Sequence, residues 1–147
     1  MKTVSTFIVH KPVIVAWNFF DNPENMGLWL KGFKRFELVS GTQGHIGSKS
    51  RHIYEQGGKE FVLQEEITAR QKYHHFAATL THKTMVALVD TTFTDLHDGR
   101  TELHFTNDIS FHTFLYRLIS PFIHGSILKR EEGDYLRLKT AIEAEKD

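Results

Sequence analysis

From Thr3 to His10 (TVSTFIVH) the chain is β-branched and aromatic, and apolar on both faces at its centre. That pattern predicts a strand buried on both sides. Pro12 follows at a first-turn position, where its missing N–H costs nothing. Val13, Ala16, Trp17 and Phe20 then recur at spacings of three and four, the stripe of a helix. Asp21-Asn22-Pro23 ends that helix, and Asn22 can cap a second short one running from Pro23 to about Trp29.

Beyond Phe33 the period changes to that of strands. Three glycines between Gly41 and Gly47, the Gly57-Gly58 pair, His82-Lys83 and Asp98-Gly99 punctuate the chain. Strands are predicted over 33–40, 48–56, 59–69, 72–81, 84–96 and 100–111. Even spacing with short turns favours an antiparallel meander over parallel crossovers. Helical spacing returns from Thr113 to about Glu145. Leu115, Leu118, Ile119 and Phe122 form a first stripe, and Leu128, Tyr135, Leu138 and Ile142 a second. Pro121 and Gly125 should kink or interrupt the helix between them.

The stretch from Lys11 to Trp29 (KPVIVAWNFFDNPENMGLW), lying directly behind a strand, resembles the signature of the polyketide cyclase/START-related (SRPBCC) superfamily. The helix end at Leu136–Glu143 (LRLKTAIE) is similar to that family's as well. The order of one strand, two short helices, six strands and one long helix extends the resemblance over nearly the whole chain. It implies an α+β helix-grip fold, a curved antiparallel sheet of about seven strands around the C-terminal helix, with an internal apolar cavity. The loop with Gly41, Gly44 and Gly47 resembles the segment that often lies near the cavity entrance in this fold. Function is far less constrained, because fold does not imply function.

Composition narrows the field. At 147 residues the length predicts one domain with one substantial core. Eighteen basic and eighteen acidic side chains cancel, so no summed field draws in nucleic acid or an anionic surface. The small cluster Lys31, Lys34 and Arg35 reads as a solvated strand start. The absence of cysteine excludes disulfides and thiolate chemistry and fits a reducing compartment. No apolar run suggests a signal peptide or a membrane span, so a cytoplasmic protein, monomer or homodimer, is expected.

Twelve Phe, four Tyr and two Trp can either line an open cavity or fill it. Strand alternation sets candidate inward groups. Glu65 shares a face with Phe61, Leu63 and Ile67. Asn107 shares one with Leu103, Phe105, Ile109 and Phe111. His74 shares one with Phe76, Ala78 and Leu80. Tyr54 can offer a hydroxyl at the mouth, and Leu118 and Phe122 of the first helical stripe complete the expected lining. Asp90 stands in a strand apolar on both sides, and Glu131 and Glu132 fall where the second helical stripe lacks its apolar residue. Glu65 and His74 lie on adjacent strands, and their pairing would have the form of a general acid/base site.

Other chemistries find no support. Ten histidines include no HxxxH or HExxH helix spacing, and His74 and His75 point to opposite strand faces, so no metal is expected. His10, His45, His82, His97 and His124 fall near turns or element ends, where exposure is usual. No Gly-x-Ser-x-Gly elbow or phosphate loop is present. No cofactor is implied. Three functions stay open: a binder or carrier of a small lipid-, isoprenoid- or polyketide-like molecule, a cyclase- or dehydratase-like enzyme using cavity Glu and His groups, and an interaction module.

Overall fold

The computed structural model describes residues 1–147. The elements are β1 (Lys2–Val9), α1 (Val13–Asp21), a single 3₁₀ turn (Pro23–Asn25), α2 (Met26–Trp29), β2 (Phe33–Ser40), β3 (Lys49–Gln56), β4 (Lys59–Gln71), β5 (His75–His82), β6 (Met85–Asp95), β7 (Thr101–Phe111) and α3 (Phe114–Glu143). All seven strands form one antiparallel sheet in the order β1-β7-β6-β5-β4-β3-β2. The last six run as a meander, and β1 crosses over to lie beside β7 with Thr3 opposite Asn107. The sheet is curved, and α3 and the two short helices pack against it.

Local chemistry explains the early elements. Pro12 precedes α1, and its carbonyl accepts from Ala16 N–H at 3.1 Å. Asn22 caps the 3₁₀ turn, its Oδ1 accepting from Glu24 N–H at 3.0 Å. Gly32 then takes φ +78°, and a Cβ there would stand 2.6 Å from the carbonyl oxygen of Glu55. Only glycine lets the chain turn from α2 into β2 so close to β3.

Two expectations are corrected. Strand β5 starts at His75 rather than Lys72, because Lys72–His74 form the reversal after β4. Tyr73 takes φ 69° there, with its ring edge-on to Trp17 at 6.4 Å. In addition, α3 is continuous through Pro121 and Gly125. A proline at 121 leaves the carbonyl of Arg117 without its helical donor. The Ser120 hydroxyl donates to that carbonyl at 3.0 Å and takes up the loss.

The core gathers where α1 and the second half of α3 meet the sheet. Trp17, Leu103, Leu138, Ile142 and Val9 are fully buried, with Phe93 and Phe105 close behind. Each such side chain contributes about 1.5–3 kcal/mol of burial. Rings interlock throughout: Trp17 meets Phe93 edge-on at 5.1 Å, and Phe105 stacks on Tyr135 at 4.1 Å. Polar clamps fix the register of α3. Arg130 donates to the Lys31 carbonyl, Arg137 to that of Trp29, and Lys139 to that of Ile8. All these contacts belong to the second half of the helix. Its first half leaves Leu115, Leu118 and Phe122 mostly exposed, so the first apolar stripe does not face the sheet.

Candidate functional site

Between the concave face of the sheet, α1, α2 and the second half of α3 lies a cavity of about 240 Å³. Aromatic and aliphatic side chains, among them Phe20, Trp29, Phe76, Leu80, Val89 and Phe105, form most of its wall. Alternation works well along β7, where Leu103, Phe105, Asn107 and Ile109 all point inward and are buried. On β4 the inward set runs through Glu65 and Ile67, and a bulge then shifts the register between Ile67 and Ala69. The bulge re-aims Arg70 inward. Its guanidinium meets the Asp21 carboxylate at 2.6 Å and sits 5.7 Å from the centre of the Trp17 ring. Asp21, Pro23, Gln43 and Gly44 form a rim on this side.

Two polar clusters interrupt the apolar wall. On the sheet side Glu65 Oε1 lies 3.4 Å from His52 Nε2 and accepts from the Ser50 hydroxyl at 3.3 Å. Ser50 and His52 are buried, and Phe33 and Phe36 flank the imidazole at 6.3 and 5.5 Å. On the helix side Asn107 Nδ2 donates to Glu131 Oε1 and to the Tyr135 hydroxyl oxygen, each at 3.0 Å. Thr3 donates to the other Glu131 oxygen at 2.6 Å. Beside this cluster Asp134 accepts from Lys31 N–H at 3.1 Å and from Arg137.

Burial is the leading cause of every shifted group that lines the cavity. It raises the Glu131 and Asp134 carboxyls above the ordinary carboxylate range, and the Asp134 charge pushes Glu131 further the same way. It also raises the Tyr54 and Tyr135 phenols, which stay neutral hydroxyls at physiological pH. A raised carboxyl holds its proton in the folded chain where the unfolded chain has lost it. Its favourable share of stability is therefore complete below the ordinary carboxylate pKa and is lost as pH rises through the raised value. Glu131→Gln should raise Tm by a few degrees at neutral pH, with the gap closing as the pH falls through the carboxylate range. Thermal melts across that range check it, and a gap independent of pH would contradict it.

Of the residues singled out in the sequence, Tyr54, Glu65, Phe76, Phe105 and Asn107 line this cavity. Five others stand elsewhere. His74 is exposed in the turn before β5, so it cannot pair with Glu65, and the imidazole beside that carboxylate belongs to His52. Phe61 pairs with Tyr54 across β3 and β4 and stacks on its ring at 5.1 Å, and both it and Leu63 lie outside the wall. Leu118 and Phe122 are 55% and 86% exposed. Asp90 faces outward, 2.9 Å from His75. Among the turn histidines His10, His45 and His97 are exposed, whereas His124 turns a buried, unpartnered Nε2 inward. No group of three or more His, Asp or Glu side chains is arranged to hold a metal ion.

No protein-family model and no curated protein matches the sequence. Solved structures do match along the whole chain. Ara h 8.0201 aligns with a TM-score of 0.78 at 14% identity over 99% of both chains. The Zhui aromatase/cyclase from Streptomyces sp. R1128 aligns at 0.79 and 11% identity, covering 97% of this chain and 93% of that one. A START superfamily protein from Mycobacterium smegmatis aligns at 0.76 and 13%, over 97% of each chain. The chain has the helix-grip fold. Identities this low carry the architecture and nothing finer. No helix of this helix-grip chain is long and apolar enough to cross a membrane.

His52 carried a usable signal. Ser50, His52 and Tyr54 alternate on one face of β3, and all three are buried. Arg70 had none, because its inward aim depends on the bulge. Of Glu131 and Glu132, which fill the gap in the second helical stripe, Glu131 reaches the cavity and Glu132 is exposed, whereas nothing in the stripe marks Asp134.

Proposed function

We propose that residues 1–147 act as one helix-grip domain that binds or carries a small hydrophobic molecule, lipid-, isoprenoid- or polyketide-like, in this cavity. The observation that carries the reading is a preformed cavity lined by 12 hydrophobic residues out of 22, with two buried polar clusters facing each other across it. Such a site takes an apolar body and orients it by one or two polar contacts. Each Å² of apolar ligand surface removed from water contributes about 25 cal/mol. Tyr135 accepts from Asn107 and keeps its own proton free to donate, so it and Glu131 form an anchor for a hydroxyl or carbonyl on the ligand. Glu65 and His52 form a second anchor on the opposite wall. The lack of cysteine fits a reducing compartment, and the reading includes a cytoplasmic location, as a monomer or homodimer.

A specific observation favours a second reading. The Glu65–His52 pair, shielded and beside an apolar space, is a geometry able to move a proton in a cyclase- or dehydratase-like reaction. Glu65→Gln separates the two. For a carrier, affinity for a bound apolar compound shifts by roughly tenfold or less, the scale of one ordinary hydrogen bond. For an enzyme, turnover of the same compound collapses while binding persists. Titration by isothermal calorimetry, with product analysis by mass spectrometry, reads both.

A further inference from the structure

The first half of α3 presents apolar side chains to solvent. Phe114 is 74% exposed, Leu115 66%, Leu118 55%, Ile119 38% and Phe122 86%. Their spacing of three and four residues places all five on one side of the helix, as a ridge two and a half turns long. Isolated exposed apolar side chains need no explanation, but a contiguous row of this kind does. The ridge stands outside the cavity and shares no residue with its wall.

Charge identifies what covers it. All eighteen acidic side chains of the chain lie outside Ile109–Arg130, so the ridge sits in a segment that carries cations only. Arg117 flanks the ridge one turn from Phe114, held by its Nε donating to the Phe111 carbonyl at 3.1 Å. Lys129 follows seven residues after Phe122, on the same side of the helix, exposed and without an ion-pair partner. A chain of zero net charge thus keeps the helix segment around its most exposed aromatic side chain free of acidic residues, with Arg117 and Lys129 at its two ends. An amphipathic helix with Phe and Leu on one side and only cations beside them matches the headgroup–acyl boundary of an anionic bilayer. A lipid surface also accepts a convex ridge without a groove of matching shape.

We propose that the Phe114–Phe122 face of α3 docks on anionic lipid membranes, with Phe122 and Leu118 inserted and Arg117 and Lys129 on the headgroups. The proposal goes beyond the cavity reading and stands if the cavity proves empty.

Vesicle flotation tests it, using full-length protein with phosphatidylcholine vesicles, with and without a third of phosphatidylserine. The anionic vesicles should bind roughly tenfold more tightly, and salt should weaken that preference. Leu118→Asp with Phe122→Asp should abolish binding while circular dichroism stays unchanged. A second variant, Phe122→Trp, keeps the ridge apolar and should show a blue-shifted, enhanced emission on anionic vesicles only. No binding to either vesicle would overturn the proposal, as would binding that survives the double Asp variant. So would a concentration-dependent dimer, seen by sedimentation and lost in that variant, if vesicles still fail to bind. That result would assign the ridge to a second copy of the chain.

Discussion

Trp17→Ala is expected to remove about 3–5 kcal/mol of folding stability, a large part of what a chain of this size has. The indole is wholly buried where α1, the β4–β5 reversal and β6 converge. Phe93 meets it edge-on at 5.1 Å, Tyr73 at 6.4 Å, and the Arg70 guanidinium caps it at 5.7 Å. Alanine would leave a void that none of these can fill without giving up another contact. The loss should appear as a lower urea midpoint with an unchanged slope. Trp17→Phe should cost roughly half as much, since it keeps the aromatic contacts. The indole N–H has no hydrogen-bond partner to lose. A Trp17→Ala variant within about 1 kcal/mol of the parent would mean that α1 is not part of the cooperative core.

The second large effect is functional. Val89→Trp should weaken uptake of an apolar compound by roughly a hundredfold or more, equivalent to about 2.7 kcal/mol. Val89 lies mid-sheet on β6, opposite Ala78 of β5 and Asn107 of β7, and its side chain forms part of the cavity wall. A Trp at that point projects into the space a ligand needs. Leu88→Trp is the matched control. Leu88 points to the other face, 54% exposed, and the substitution should leave binding unchanged. Nile red titrations of the parent and both variants read the difference. Equal binding by Val89→Trp would mean that the compound sits elsewhere.

The architecture was legible because local signals agreed with one another. Pro12, Asn22-Pro23 and the glycine-bearing turns marked the boundaries, and alternation along β7 placed Asn107 and Phe105 on the inner face. Errors arose where a single residue changes the phase of the backbone. Tyr73 in a left-handed conformation moved the reversal, which carried His74 out of the strand. The β4 bulge brought Arg70 inward to Asp21. Neither event has a composition cue as strong as a glycine pair. The first stripe of α3 misled for another reason. Helical spacing shows that residues share a side, not that anything covers that side. Leu118 and Phe122 share such a side, and it faces solvent rather than the cavity. Glu65 has an adjacent strand on each side of β4, and its imidazole partner stands on β3, not β5.

Native mass spectrometry of the freshly purified protein, followed by solvent extraction and identification of whatever is bound, decides whether the cavity holds an apolar molecule. The expected result is a defined apolar molecule at one per chain, absent from Val89→Trp and retained by Leu88→Trp. An apo mass that takes up nothing from a mixed extract of apolar metabolites would contradict it.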